Sequence, residues 1–74
     1  MAMTAESQGA PRARAALGKS PFHELRRLSV ERQGEAVLVS GIVSSFYHKQ
    51  LAQEVVRAVC HGINVVNAID VRQG

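Results

Sequence analysis

The stretch from Val37 to Val71 allows few folds. It begins V-L-V-S-G-I-V and ends I-N-V-V-N-A-I-D-V, with one helical run between them. Alternation with a period of two marks a strand, and apolar residues recurring at three and four mark a helix. The chain therefore holds strand, amphipathic helix and strand in immediate succession.

Within the first strand, Ala36 to Val43, the residues Val37, Val39, Gly41 and Val43 share one face. Leu38, Ser40 and Ile42 share the other, because side chains alternate across a strand. Gly41 stands where the core-facing row should hold a side chain. A strand glycine marks a bulge or a close backbone approach, here expected from the following helix. Ser44 or Ser45 caps that helix, which is predicted to run to Cys60 or His61. On a helical wheel Tyr47, Leu51, Val55, Ala58 and Val59 form one apolar arc. Phe46, Val56 and Cys60 form a second flank, which needs a cover from a neighbouring helix or a partner chain. Gly62 fits the C′ position with Ile63 as its apolar contact. In the last strand, Ile63 to Arg72, the core-facing row is Ile63, Val65, Asn67, Ile69 and Val71. Asn67 in that row must find hydrogen-bond partners, expected at a turn or a helix end.

The first third is less regular. Residues 1–10 are small, polar and aperiodic, and are expected to form a disordered tail ahead of a single domain over 11–74. Pro11 suits the start of a short Ala-rich helix that Gly18 ends. Ser20-Pro21 is a cap followed by proline, and opens a two-turn helix with Phe22, Leu25 and Leu28 on one face. Ser29 to Arg32 is a short strand, and 33–35 is the turn of a hairpin into the strand from Ala36.

Seventy-four residues make one small domain, whose core alone supplies only about 3–5 kcal/mol. One cysteine, Cys60, excludes an internal disulfide. His23, His48 and His61 do not pair with it at zinc-ligand spacing. Association with a second copy or another protein is the remaining source of stability. The net charge of +3 is concentrated at Arg12, Arg14, Lys19, Arg26 and Arg27, a mild excess that suits a solvated surface. No apolar run reaches the ~20 residues of a membrane span, and no secretory signal is visible. The chain as written is expected in the cytoplasm, or in the periplasm if its first residues have been trimmed away.

The order helix, strand, strand, helix, strand, with its landmarks, carries a resemblance. Those landmarks are Ala16-Leu17, Leu28-Ser29-Val30, Val37-x-Val39-x-Gly41-x-Val43, Ala52 with Val55, and Val65-x-Asn67-x-Ile69-x-Val71. From about Ala16 to Val71 the chain resembles a BON domain, a small module of bacterial osmotic-shock, secretin and channel-associated proteins. One departure is His61-Gly62, where the family usually carries Gly-Val, so the entry into the last strand should differ locally. The resemblance implies an α+β fold, an αββαβ sandwich with helices on one face of a three-stranded mixed sheet. It also implies a binding role without enzymatic chemistry, toward phospholipid surfaces or other proteins.

The residues themselves argue for no catalytic, metal or cofactor site. Cys60 and His61 diverge by about 100° at a helix end, and Cys60 is best read as a small half-buried hydrophobe. No phosphate-cradling glycine loop exists. Nucleic-acid binding ranks last, because neither a G-x-x-G clamp nor a stacking pair of aromatics is present. With both helices on one sheet face, the other face carries Leu38, Ile42, Val66 and Ala68. Such an apolar patch marks an interaction site, so contact with another protein or with itself is the first expectation. The alternative is an edge for anionic phospholipid, from Phe22, Arg26 and Arg27 or from Phe46, Tyr47 and Lys49. A single domain would bind lipid weakly.

Overall fold

A computed structural model describes residues 5–72. The elements run α1 (Ala5–Gly18), α2 (His23–Arg26), β1 (Ser29–Gln33), β2 (Ala36–Val43), α3 (Phe46–Val59) and β3 (Asn64–Val71). β1 pairs antiparallel with β2, and β2 pairs parallel with β3, in the order β1-β2-β3. This is the expected α+β arrangement, a mixed three-stranded sheet with α1 and α3 packed on one face.

The core lies between that face and the two long helices. Val37, Val39 and Val43 of β2 and Ile69 of β3 are buried against Leu17 of α1 and Ala52 and Val56 of α3. Leu25 and Leu28 close one end. The alternation expected for β2 and β3 holds throughout, with odd positions toward the helices.

Five expectations are corrected. The tail expected over 1–10 falls partly outside the described residues, at 1–4. Residues 5–10 instead open α1, so Pro11 lies inside that helix rather than at its start. The reason is close packing: Gly9 and Ala10 are buried, and a Cβ on Gly9 would lie 2.8 Å from Ile63 Cδ1 and 3.1 Å from Val37 Cγ2. Smallness, which reads as disorder in sequence, is here what lets a helix lie down on the sheet.

The second helix is one turn, not two, and its N-cap is Phe22. Ser20 Oγ accepts the Phe22 N–H at 3.1 Å, a local turn that sets the chain direction before the helix begins. In α3 the buried line is Ala52, Val56 and Cys60, while Tyr47 and Ala58 of the expected arc face solvent. α1 covers the flank of Val56 and Cys60, so the helix is rotated to present the seam between its two apolar flanks. Cys60 is itself the C-cap of α3, and the turn behind it is closed by Ile63 N–H donating to Cys60 C=O at 3.3 Å. Gly62 thus sits one position farther on than a C′ cap.

The fifth correction concerns Gly41. Its φ is +139°, and a Cβ there would lie 2.7 Å from Leu28 Cδ2. The gap in the core row is filled by Leu28, at the entry to β1, and not by the following helix.

Candidate functional site

One end of the molecule gathers most of its exposed aromatic surface. α3 starts at Ser45, whose Oγ accepts the His48 N–H at 3.2 Å. The same Oγ lies 2.6 Å from His48 Nδ1. Glu24 of α2 reaches across: its Oε2 accepts the Ser44 N–H at 2.8 Å and its Oε1 accepts the Ser44 hydroxyl at 2.7 Å. Glu24 Oε1 also lies 3.3 Å from His48 Nδ1. A carboxylate that accepts a backbone N–H and a hydroxyl together is a strong local tie. It fastens α2 to the first turn of α3.

The rings then stack edge to face. Phe22 lies 5.2 Å from His48 and 6.3 Å from Tyr47, and Tyr47 lies 5.5 Å from His48, centroid to centroid. T-shaped pairs at these separations are favourable beyond their buried area. Phe22 is half-buried under this cluster. Phe46 and Tyr47, one turn ahead of the buried line of α3, project outward at 70 % and 64 % exposure. Lys49 Nζ stands 5.7 Å from the Phe46 ring centroid. Arg26 and Arg27 are exposed on α2, with Arg26 donating to Ser20 C=O at 3.0 Å. The two edges that the sequence offered separately, around Phe22 and around Phe46, are therefore one surface, joined through Phe22 and Tyr47.

The outer sheet face is the second candidate. The register sets Leu38 beside Val66, Ser40 beside Ala68 and Ile42 beside Asp70. Ile42 is 55 % and Val66 45 % exposed, Ala68 is exposed and Leu38 is half-buried. A three-stranded sheet eight residues long measures roughly 14 by 25 Å. That is about 350 Å² against the ~800 Å² per partner of a standard stable interface. Ile42 also lines a surface hollow of about 370 Å³ with His23, Glu24, Arg27 and Gly41, so this face abuts the aromatic and basic end.

Other groups with reactive side chains are structural. Asn67 Oδ1 accepts the Ile69 N–H at 3.1 Å, and its Nδ2 donates to Gln53 Oε1 at 3.0 Å and Lys49 C=O at 3.5 Å. The half-buried amide has thus found partners on a helix, though along its flank rather than at its end. Cys60 is buried with its thiol directed at Gly9 C=O, 3.5 Å away. Burial pushes that thiol up from its ordinary pKa, with Arg12 pulling the other way. A raised pKa leaves less thiolate at neutral pH, which suits packing and not nucleophilic attack. Among the described residues, no three His, Cys, Asp or Glu side chains converge as metal ligands. Among them too, no helix is long and apolar enough to cross a membrane.

Sequence reading placed Tyr47 in the core arc, named Ser44 only as an alternative cap and His48 only as a rejected zinc ligand, and gave Glu24 no part in the site. The available signal was Phe46-Tyr47 directly behind a capping serine, with Glu24 early in a preceding turn. No curated protein matches the chain. The BON domain family matches residues 10–73, nearly the whole length. Family and fold agree, and the chain belongs to the BON domain family, a family of binding-type domains.

Proposed function

We propose that this domain is a non-catalytic module that binds the surface of anionic phospholipid membranes through the end formed by α2 and the first turn of α3. The observation that carries this reading is the continuity of Phe22, Tyr47 and Phe46 with Lys49, Arg26 and Arg27 on one surface. Interfacial binding requires apolar side chains that enter the headgroup boundary with cations beside them. Each Lys or Arg near an anionic leaflet contributes about 1 kcal/mol, and partial burial of Phe46 and Tyr47 adds about 1.5 kcal/mol each. The sum is about 6 kcal/mol, which corresponds to a dissociation constant of tens of micromolar. Binding by one domain is therefore weak and reversible.

Co-sedimentation with phosphatidylglycerol vesicles, with phosphatidylcholine vesicles as the neutral control, tests the reading. The expected result is pelleting with the anionic vesicles only, reduced at least tenfold in affinity by Phe46→Ser combined with Lys49→Glu. Equal pelleting of that double variant, or none by the native chain, sinks the proposal.

A second reading rests on the exposure of Ile42 and Val66 on the outer sheet face. That face can meet a partner protein or a second copy, but its small area supports a transient contact only. Leu38→Asp would abolish such a contact and leave vesicle binding intact.

A further inference from the structure

The sheet has two outer edges, and each is closed by a polar side chain. In β3 the parity of the backbone follows from one bond beyond its end: Arg72 N–H donates to Val43 C=O at 2.9 Å, where Val43 is the register partner of Val71. Inward and outward groups alternate along a parallel ladder. Even-numbered residues of β3 therefore turn their N–H and C=O toward β2, and Val65, Asn67, Ile69 and Val71 turn theirs away. An outward row of this kind is a template for another strand. β3 offers four such residues along an eight-residue strand that holds no proline and one charged side chain, Asp70.

The Ile69 N–H lies in the middle of that row, and Asn67 Oδ1 takes it at 3.1 Å. The other end of the same amide is anchored on α3 by Gln53 and Lys49. Asn67 thus reaches from the core-facing row to the strand edge and is held there from behind. The opposite edge shows the same device in another form. Arg14, from α1, donates to the Val30 C=O of β1 at 2.9 Å. β1 is also short and carries Glu31 and Arg32, both of which blunt an edge.

We propose that Asn67 is a plug that keeps the outer edge of β3 shut against a second copy of this chain. A second copy is the occupant the edge fits. Around a two-fold axis near Ala68, two β3 strands run antiparallel with their outward rows opposed, each supplying donors and acceptors to the other. Asp70 then faces Val66 rather than another Asp70, so no like charges meet across the pair. In that pairing the Ile69 N–H serves the Asn67 C=O of the second copy, and it is the donor the side chain already holds. The inference does not rest on lipid binding, which uses side chains of α2 and the first turn of α3, although Asn67 is anchored in part on the Lys49 backbone carbonyl.

Light-scattering mass of Asn67→Val and Asn67→Asp across a dilution series tests it. Valine fits the apolar row and removes the plug, whereas aspartate keeps the acceptor for Ile69 N–H and loses the anchoring donor. The expected result is a concentration-dependent mass at least double that of the monomer for Asn67→Val, with native circular dichroism. Asn67→Asp and the native chain stay monomeric. A folded, monomeric Asn67→Val overturns the proposal, and so does equal self-association of Asn67→Asp, which would indicate lost stability instead. Amide exchange in the native chain gives a check that no variant's folding can confound. Ile69 N–H should exchange at least tenfold more slowly than the outward Val65 and Val71 N–H groups. Equal rates among the three would mean that the edge is not plugged.

Discussion

At Gly41 a core-facing row of β2 has no side chain, and the backbone has a φ of +139°. Both facts restrict the position. An alanine there would bring a strained backbone, which costs about 1 kcal/mol or more. Its Cβ would also lie 2.7 Å from Leu28 Cδ2, in a core already filled. Gly41→Ala is expected to destabilise the fold by about 2 kcal/mol and to lower Tm by on the order of 10 °C. Thermal unfolding followed by circular dichroism checks this; an unchanged Tm would mean that Leu28 gives way freely. The peculiarity of Gly41 was legible in the sequence, because it breaks an otherwise apolar row. Its partner was not, since Leu28 is thirteen positions away and arrives from the turn that ends α2, where its N–H donates to Leu25 C=O. Asn67 follows the same pattern. Its place on the buried face came from alternation alone, while Gln53 and Lys49 depend on how α3 crosses β3, and the outward Ile69 N–H on β3 being an edge strand.

α3 shows what a single helix can and cannot reveal about itself. Its start was readable, since a serine ahead of an apolar run is a cap, and Ser45 is that cap. Removing it in Ser45→Ala costs about 1 kcal/mol. That lowers Tm by about 5 °C, because the His48 N–H loses its acceptor and the His48 ring its hydroxyl neighbour. Ser45→Asp, which retains an acceptor, should recover most of the loss, and urea unfolding of the two variants compares them. If the alanine variant matches the native chain, Ser44 has taken over the cap. The rotation of α3 was not readable. A wheel weights large apolar side chains, so Tyr47 pulled the expected arc toward solvent and Ala52 hardly counted. The true buried line runs through Ala52, where α1 and the sheet both need room. α2 was overextended for a related reason. Leu28 shares the period of Phe22 and Leu25, yet it belongs to the entry of β1 and fills the space at Gly41.

Across the whole molecule, the charge of +3 is modest, and its placement matters more than its size. Arg26, Arg27 and Lys49 stand at the same end as Phe46 and Tyr47. Vesicle affinity is therefore expected to fall about tenfold or more between low and physiological ionic strength, as screening shortens the reach of those cations. A salt titration of co-sedimentation checks it, and a salt-independent affinity would assign binding to the aromatic rings alone. The sequence by itself determined the order of the elements, the two faces of β2 and β3, and the family, because periods of two and 3.6 are local and the landmarks keep their spacing. Only the tertiary structure decided where α1 begins, which flank of α3 is buried, and that two separate edges form one aromatic and basic end. Those outcomes depend on contacts between residues far apart in the chain: Gly9 with Ile63, Leu28 with Gly41, Phe22 with Tyr47. No local pattern encodes such a meeting; it is set by which packing of the elements fills the space between the helices and the sheet.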